Sequence, residues 1–186
     1  MDSEASPGRG HEIVLPEPFT LRDGREVVFR RIRPDDAQQL VEGFRRLSPE
    51  SRRRRFFSPL RELDPALAGR LANVDFVRRA AFVATFPGED IVRAVARYEQ
   101  VDSHTAEVAF TVADELQGQG IASHLLHHLA ALARLNGIDR FVADVLAENS
   151  GMLEVFAGSG LPMRSVSQGL TWRVTLDIRE RKANGA

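Results

Sequence analysis

The residues best equipped for chemistry lie between Thr105 and Leu126. There a short alternating stretch runs into Gln117-Gly118-Gln119-Gly120-Ile121-Ala122 and then into a leucine-rich segment. Glycines at 118 and 120 let a backbone approach a ligand closely, and the free N–H groups of a helix's first turn point at whatever sits before it. Such a place favours anions, by roughly 0.3–1 kcal/mol per charge from the helix dipole alone. The spacing therefore points to a pyrophosphate. No Gly-Lys-Ser/Thr ending follows, which argues against a triphosphate held by lysine and magnesium, and the glycines lack the G-x-G-x-x-G spacing of a dinucleotide fold.

The elements that must hold this loop alternate between strand and helix, without an internal repeat. Glu26 to Arg33 reads as a strand, Pro34 opens a helix to about Leu47, Ser48-Pro49-Glu50 restarts one, and Asp64-Pro65 starts another reaching about Asn73. Arg79 to Phe86 and Ile91 to Gln100 read as strands joined by the turn Pro87-Gly88-Glu89-Asp90, and Thr105 to Asp114 adds a third. From about Gln119 to Asn136 a helix places Ile121, Ala122, Leu125, Leu126, Leu129, Leu132 and Ala133 on one face, with Gly137 as its left-handed cap. Arg140 to Leu146 is a buried strand, Ser150 to Ser159 a helix, and Arg164 to Ile178 a hairpin turning near Gln168-Gly169. That order implies a mixed α/β sheet.

A chain of 186 residues with 43% apolar content suits a single core. Segment 1–18 is expected to be disordered, 19–178 to form the domain and 179–186 to be a polar tail. The absence of cysteine removes disulfides, thiolate metal sites and a cysteine nucleophile together. A net charge of -1 argues against a nucleic-acid binder. No apolar run is long enough to span a bilayer, and Met1 to His11 lacks a signal-peptide core, so a cytoplasmic protein is expected.

Gln117-x-x-Gly120-x-Ala122 resembles the acyl-CoA pyrophosphate motif of the GCN5-related N-acetyltransferases (GNAT). Arg31-Ile32-Arg33-Pro34-Asp35-Asp36, Leu47-Ser48-Pro49-Glu50-Ser51-Arg52 through Phe56-Phe57, and Ala147-Glu148-Asn149-x-x-Met152 resemble a narrower branch. That branch comprises the protein-lysine acetyltransferases (Pat-like) and the related domain fused to acyl-CoA synthetases. The likeness runs from about Phe19 to Leu161.

This resemblance implies a single α/β (α+β) domain with a mixed, mostly antiparallel twisted sheet flanked by helices, and acetyl-CoA bound at a splay between central strands. The cosubstrate contacts it implies are Phe110, Thr111, Val112, Gln117, Gly118, Gln119, Gly120, Ile121, Ala122, Ser123, Asn149, Met152 and Phe156, with no metal. The implied acceptor is a protein lysine, possibly on an acyl-CoA synthetase; a small amine is the alternative acceptor. A lysine amine has a reference pKa near 10.4, so a base must remove its proton. Glu107, on the strand before the loop, is the candidate base, against an ordinary solvent-facing residue; Glu99 is the reserve. The backbone N–H near Val112 is the implied oxyanion donor. No serine or cysteine sits in a nucleophile elbow, so direct transfer is expected.

The sequence departs from the resemblance in two places. Phe156 stands where many members carry a proton-donating tyrosine, while Tyr98, the only tyrosine, belongs to another strand and reads as packed in the sheet. The missing donor motivates a further alternative, a catalytically weak acyl-CoA sensor. Gln119 stands where a basic residue is frequent, which removes one charge beside the phosphates. His124, His127 and His128 read as surface histidines with no acidic residue to complete a zinc set. Arg52 to Arg55, near Arg45, Arg46 and Arg61, read as a solvated helix face; the alternative puts some of them at the mouth of the acceptor cleft. A monomer and a homodimer are both compatible with the sequence.

Overall fold

The run Ala80–Ala84 is apolar on both faces and forms the middle of the third strand of an eight-stranded sheet, buried between two layers of helices. The computed structural model describes residues 14–58 and 60–179. In chain order the strands are β1 (Glu17–Thr20), β2 (Glu26–Arg31), β3 (Arg79–Thr85), β4 (Ala94–Gln100), β5 (Thr105–Val112), β6 (Arg140–Leu146), β7 (Met163–Gln168) and β8 (Thr171–Asp177). The α-helices are α1 (Ala37–Arg46), α2 (Pro49–Phe56), α3 (Pro65–Ala72), α4 (Ile121–Leu135) and α5 (Ser150–Ala157). Spatial order is β1-β2-β3-β4-β5-β6-β8-β7, and every pairing is antiparallel except β5 with β6.

Alternation along the central strands supplies two cores. Ala96, Tyr98, Ala106 and Val108 face α4, whose Ile121, Leu125, Leu126, Leu129 and Ala133 are buried against them. Ala81 and Val83 face the other way, onto Leu40, Phe44, Ala68 and Ala72 of α1 and α3. Tyr98 is buried as expected: its hydroxyl donates to Val77 O (3.0 Å) and accepts from Asn136 Nδ2 (2.8 Å).

Differences from the sequence reading concentrate at element ends. β1 was not foreseen, because four residues containing Pro18 give little periodicity; it brings Glu17 and Pro18 into the sheet, two residues ahead of the expected domain start. Residues 14–16 of the segment expected to be disordered are also described, while residues 1–13, and residues 180–186 of the expected polar tail, lie outside the described residues. β4 begins at Ala94 rather than Ile91, because the Arg93 N–H bonds Ala84 O, one residue off the β3–β4 register that pairs Ala84 with Ala94, and its side chain is held by Glu89 and Glu115. α4 begins at Ile121, with Gly120 at φ 92° before it.

Gly43 sits in the middle of α1, where glycine costs about 1 kcal/mol relative to alanine. It is there because an added Cβ would lie 2.5 Å from the carbonyl oxygen of Val92. Gly43→Ala is therefore expected to lower stability by about 1–3 kcal/mol despite the better helix former, read as a fall in the urea midpoint at unchanged m-value.

Candidate active site

β5 and β6 pair in parallel only over Thr105↔Arg140, Ala106↔Phe141 and Glu107↔Val142, and then diverge. The divergence opens a cleft of about 500 Å³, walled by Glu107–Val112 on one side and Ala143–Val145 on the other, and closed by the start of α4 and one face of α5. The direction of the backbone groups along β5 follows from the ladder. Ala113 N–H donates to Arg93 O on the β4 side, in register with the β4–β5 pairs, so the odd-numbered residues of β5 bond β4. The N–H groups of Val108, Phe110 and Val112 consequently point into the splay.

Gly118 and Gly120 have φ of 75° and 92°, a region open to glycine at little cost, and they turn the chain so that α4 starts at the cleft. No side chain caps α4, so the N–H groups of Ile121, Ala122 and Ser123 are presented to the cavity. The loop is braced from below. Asp114 Oδ1 accepts from the hydroxyls of Ser48 and Ser51 (2.7 Å each), Asp114 Oδ2 accepts the Ser48 N–H (2.9 Å), and Gln117 Nε2 donates to Ser51 Oγ (3.0 Å) and Val112 O (3.3 Å). Burial pushes the Asp114 carboxyl up, but these bonds outweigh it and hold the group below the usual carboxylate range. The same bonds pin α2 to the loop, a connection that Leu47-Ser48-Pro49-Glu50-Ser51 did not announce.

Of the expected site residues, Glu107, Phe110, Thr111, Val112, Gln117, Gly118, Gly120, Ile121, Ala122, Ser123, Asn149, Met152 and Phe156 all line the cleft. Gln119 does not. Its Oε1 turns aside to accept the Asp23 N–H (3.2 Å) in the β1–β2 turn, and the positive charge at this corner comes from Arg22, which lines the cleft and donates to Gly118 O (3.1 Å). Arg22 was missed because its chain segment is remote in sequence and joins the site only through β1–β2 pairing. Asn149 Oδ1 caps α5 by accepting the Met152 N–H (3.2 Å). Phe156 is fully buried and meets Phe110 edge-on, so no proton donor stands at that position.

The arginine run divides. Arg52 lies over Phe44 (4.9 Å) and donates to the carbonyls of Arg61 and Arg45, so it is a structural strut rather than a solvated charge. Arg53 pairs with Glu50 and Glu148, while Arg54 and Arg55 reach the cleft. Glu107, Ala109 and Thr111 share the sheet face under α2, and Glu99 stands directly opposite Glu107. Burial lowers the Arg55 guanidinium pKa, and the nearby charge of Glu107 opposes that shift.

Residues 39–160 match the model of the acetyltransferase (GNAT) family. The chain belongs to this family. It is 33% identical over 144 residues to acetyltransferase PA5475 of Pseudomonas aeruginosa, covering 76% of this chain and 77% of that protein. To acetyltransferase Pat of Mycolicibacterium smegmatis it is 35% identical over 144 residues, covering 76% of this chain; it spans only 43% of that protein's length. Among solved structures, the GNAT domain of S. lividans PAT superposes with a TM-score of 0.79 at 38% identity, covering 87% of this chain and 96% of that one. These relatives place the chain in the Pat-like branch of the GNAT family. It is an acetyltransferase that uses acetyl-CoA as cosubstrate. A more distant structure, from Salmonella typhimurium and solved with acetyl-CoA, shares the fold at 19% identity and a TM-score of 0.65, covering 86% of this chain and 98% of that one.

Proposed function

We propose that this GNAT protein transfers acetyl from acetyl-CoA directly to the ε-amine of a protein lysine, with Glu107 as general base and the Val112 N–H as donor to the developing oxyanion. The observation that carries the reading is the placement of both groups on one wall of the cleft. Glu107 is the last residue of β5 paired with β6, and Val112 presents its N–H into the splay beyond. Acetyl-CoA then lies along the splay with its pyrophosphate at the uncapped start of α4, on the N–H groups of Ile121, Ala122 and Ser123 with Arg22 beside it. A protein acceptor is favoured by the Pat-like relatives and by Arg54 and Arg55 at the cleft, which suit a lysine set among acidic residues.

The experiment is CoA release from acetyl-CoA with an acyl-CoA synthetase and, separately, with a pool of small amines. Release with the synthetase, and an acetylated lysine in its digest, is the expected result. Release with small amines alone moves the acceptor assignment. Binding of acetyl-CoA with no release from any acceptor favours the sensor, the reading for which the buried Phe156 speaks.

A further inference from the structure

His124 and His128 lie one turn apart on α4, and the structure does not leave them on the surface. Their side chains are 29% and 12% exposed, covered by β1 and β2. The His124 ring stacks on Phe29 (4.7 Å between centroids, 19° between planes) and touches Phe19 (4.7 Å), while His128 is edged by Phe29 and Phe82. β1 also supplies the acidic residue that the sequence reading found lacking. Glu17 Oε2 lies 3.1 Å from His124 Nε2 and 2.8 Å from His128 Nε2. The first contact has hydrogen-bond geometry. The second does not, and the buried His128 Nε2 has no other partner among the described residues.

We propose that Glu17, His124 and His128 form a binding site for a divalent transition metal of the zinc class, clamping β1 to α4. Two imidazole nitrogens and a carboxylate oxygen are a zinc donor set, and helical histidines four apart reach one ion. A tetrahedral ion with bonds of about 2.0–2.1 Å holds its ligands about 3.3 Å apart. The observed 2.8 and 3.1 Å need to open by only a few tenths of an ångström, and all three donor atoms already lie within 4.8 Å of one another. The aromatic rings fix the imidazole planes in advance, so little side-chain freedom remains to be lost.

The site lies outside the cleft yet touches its rim, since Phe19 packs on His124 and comes within 3.8 Å of a Cβ built on Gly120. An ion here would stiffen the glycine loop from behind.

Titration of the full chain with Zn²⁺ by calorimetry is the test, with Co²⁺ as a spectroscopic probe. One equivalent is expected to bind with micromolar or tighter affinity, to give the visible absorption of tetrahedral Co²⁺ and to raise the thermal midpoint. Glu17→Gln and His128→Ala are each expected to weaken binding at least 10-fold. His127→Ala is expected to leave it unchanged, because that side chain is exposed and its Nδ1 meets the Ser123 carbonyl of its own helix. Acetyl-CoA binding by each variant reports that it is folded. Absence of a stoichiometric site, or zinc binding that survives both Glu17→Gln and His128→Ala, would overturn the proposal and leave a hydrogen-bonded His–Glu–His cluster.

Discussion

Glu107→Gln is expected to lower kcat/KM for the acceptor by about 10²–10⁴ while leaving the acetyl-CoA dissociation constant unchanged. The asymmetry follows from geometry: Glu107 is an exposed residue of β5, whereas the uncapped α4 start that would hold the pyrophosphate is formed by backbone alone. The variant also carries a signature in pH. Without a base, a lysine must lose its proton to solvent before attack, so the residual rate climbs about tenfold per unit toward the amine's reference value near 10.4. Glu99, in register with Glu107 on the same face, is the internal control. Its replacement by glutamine is expected to cost less than 10-fold; a reversal of the two results would transfer the role to Glu99. Steady-state kinetics with both substrates, joined to a binding titration, separates the outcomes.

The second large effect is one of stability. Asp36 is 1% exposed, and its two oxygens accept from Arg30 Nη1 and Nη2 at 2.7 Å each while Oδ2 also takes the Arg33 N–H. Asp36→Ala would strand a guanidinium whose side chain is only 15% exposed, and is expected to destabilise the fold by about 3–5 kcal/mol. Asp35→Ala is the matched comparison. Asp35 is 76% exposed and pairs with Arg33 at 3.3 Å, so its loss is expected to cost less than about 1 kcal/mol. Replacing Arg30 and Asp36 together by methionine and leucine should recover most of the loss, because the cost lies in the abandoned charge rather than in the missing attraction. Urea unfolding of all three variants provides the measurement.

What could be read beforehand depended on how far each signal reached along the chain. The buried stripe of α4 repeats over four turns and was legible from Ile121 to Ala133; so was the loop before it, because glycine at positive φ leaves a local mark. β1 was not, since four residues alternate only twice and its pairing with β2 is a tertiary fact. The misreading of the histidines followed directly. A helical wheel puts His124 and His128 opposite the leucines and calls that face polar, but the missing strand turns it into a second interior face and delivers Glu17 to it. Gln119 failed for a similar reason, having a partner in the β1–β2 turn. The direction of the Val112 N–H was beyond any periodicity argument, because strand parity is fixed by which neighbour a residue bonds.

The short β5–β6 ladder makes the sheet two half-sheets, β1 to β5 and β6 to β8, joined along one edge by three residue pairs. Backbone hydrogen bonding is otherwise continuous on either side of that seam, so a missing stretch of ladder is concentrated where the cleft lies. An extended ligand lying there supplies polar partners to the vacant edge and acts as a length of borrowed strand. With acetyl-CoA in the proposed position, its occupancy and the cohesion of the fold would be one equilibrium. Amides of β6 and β8 should exchange with solvent by a lower-energy opening than those of β3 and β4, and the gap should close as the seam fills.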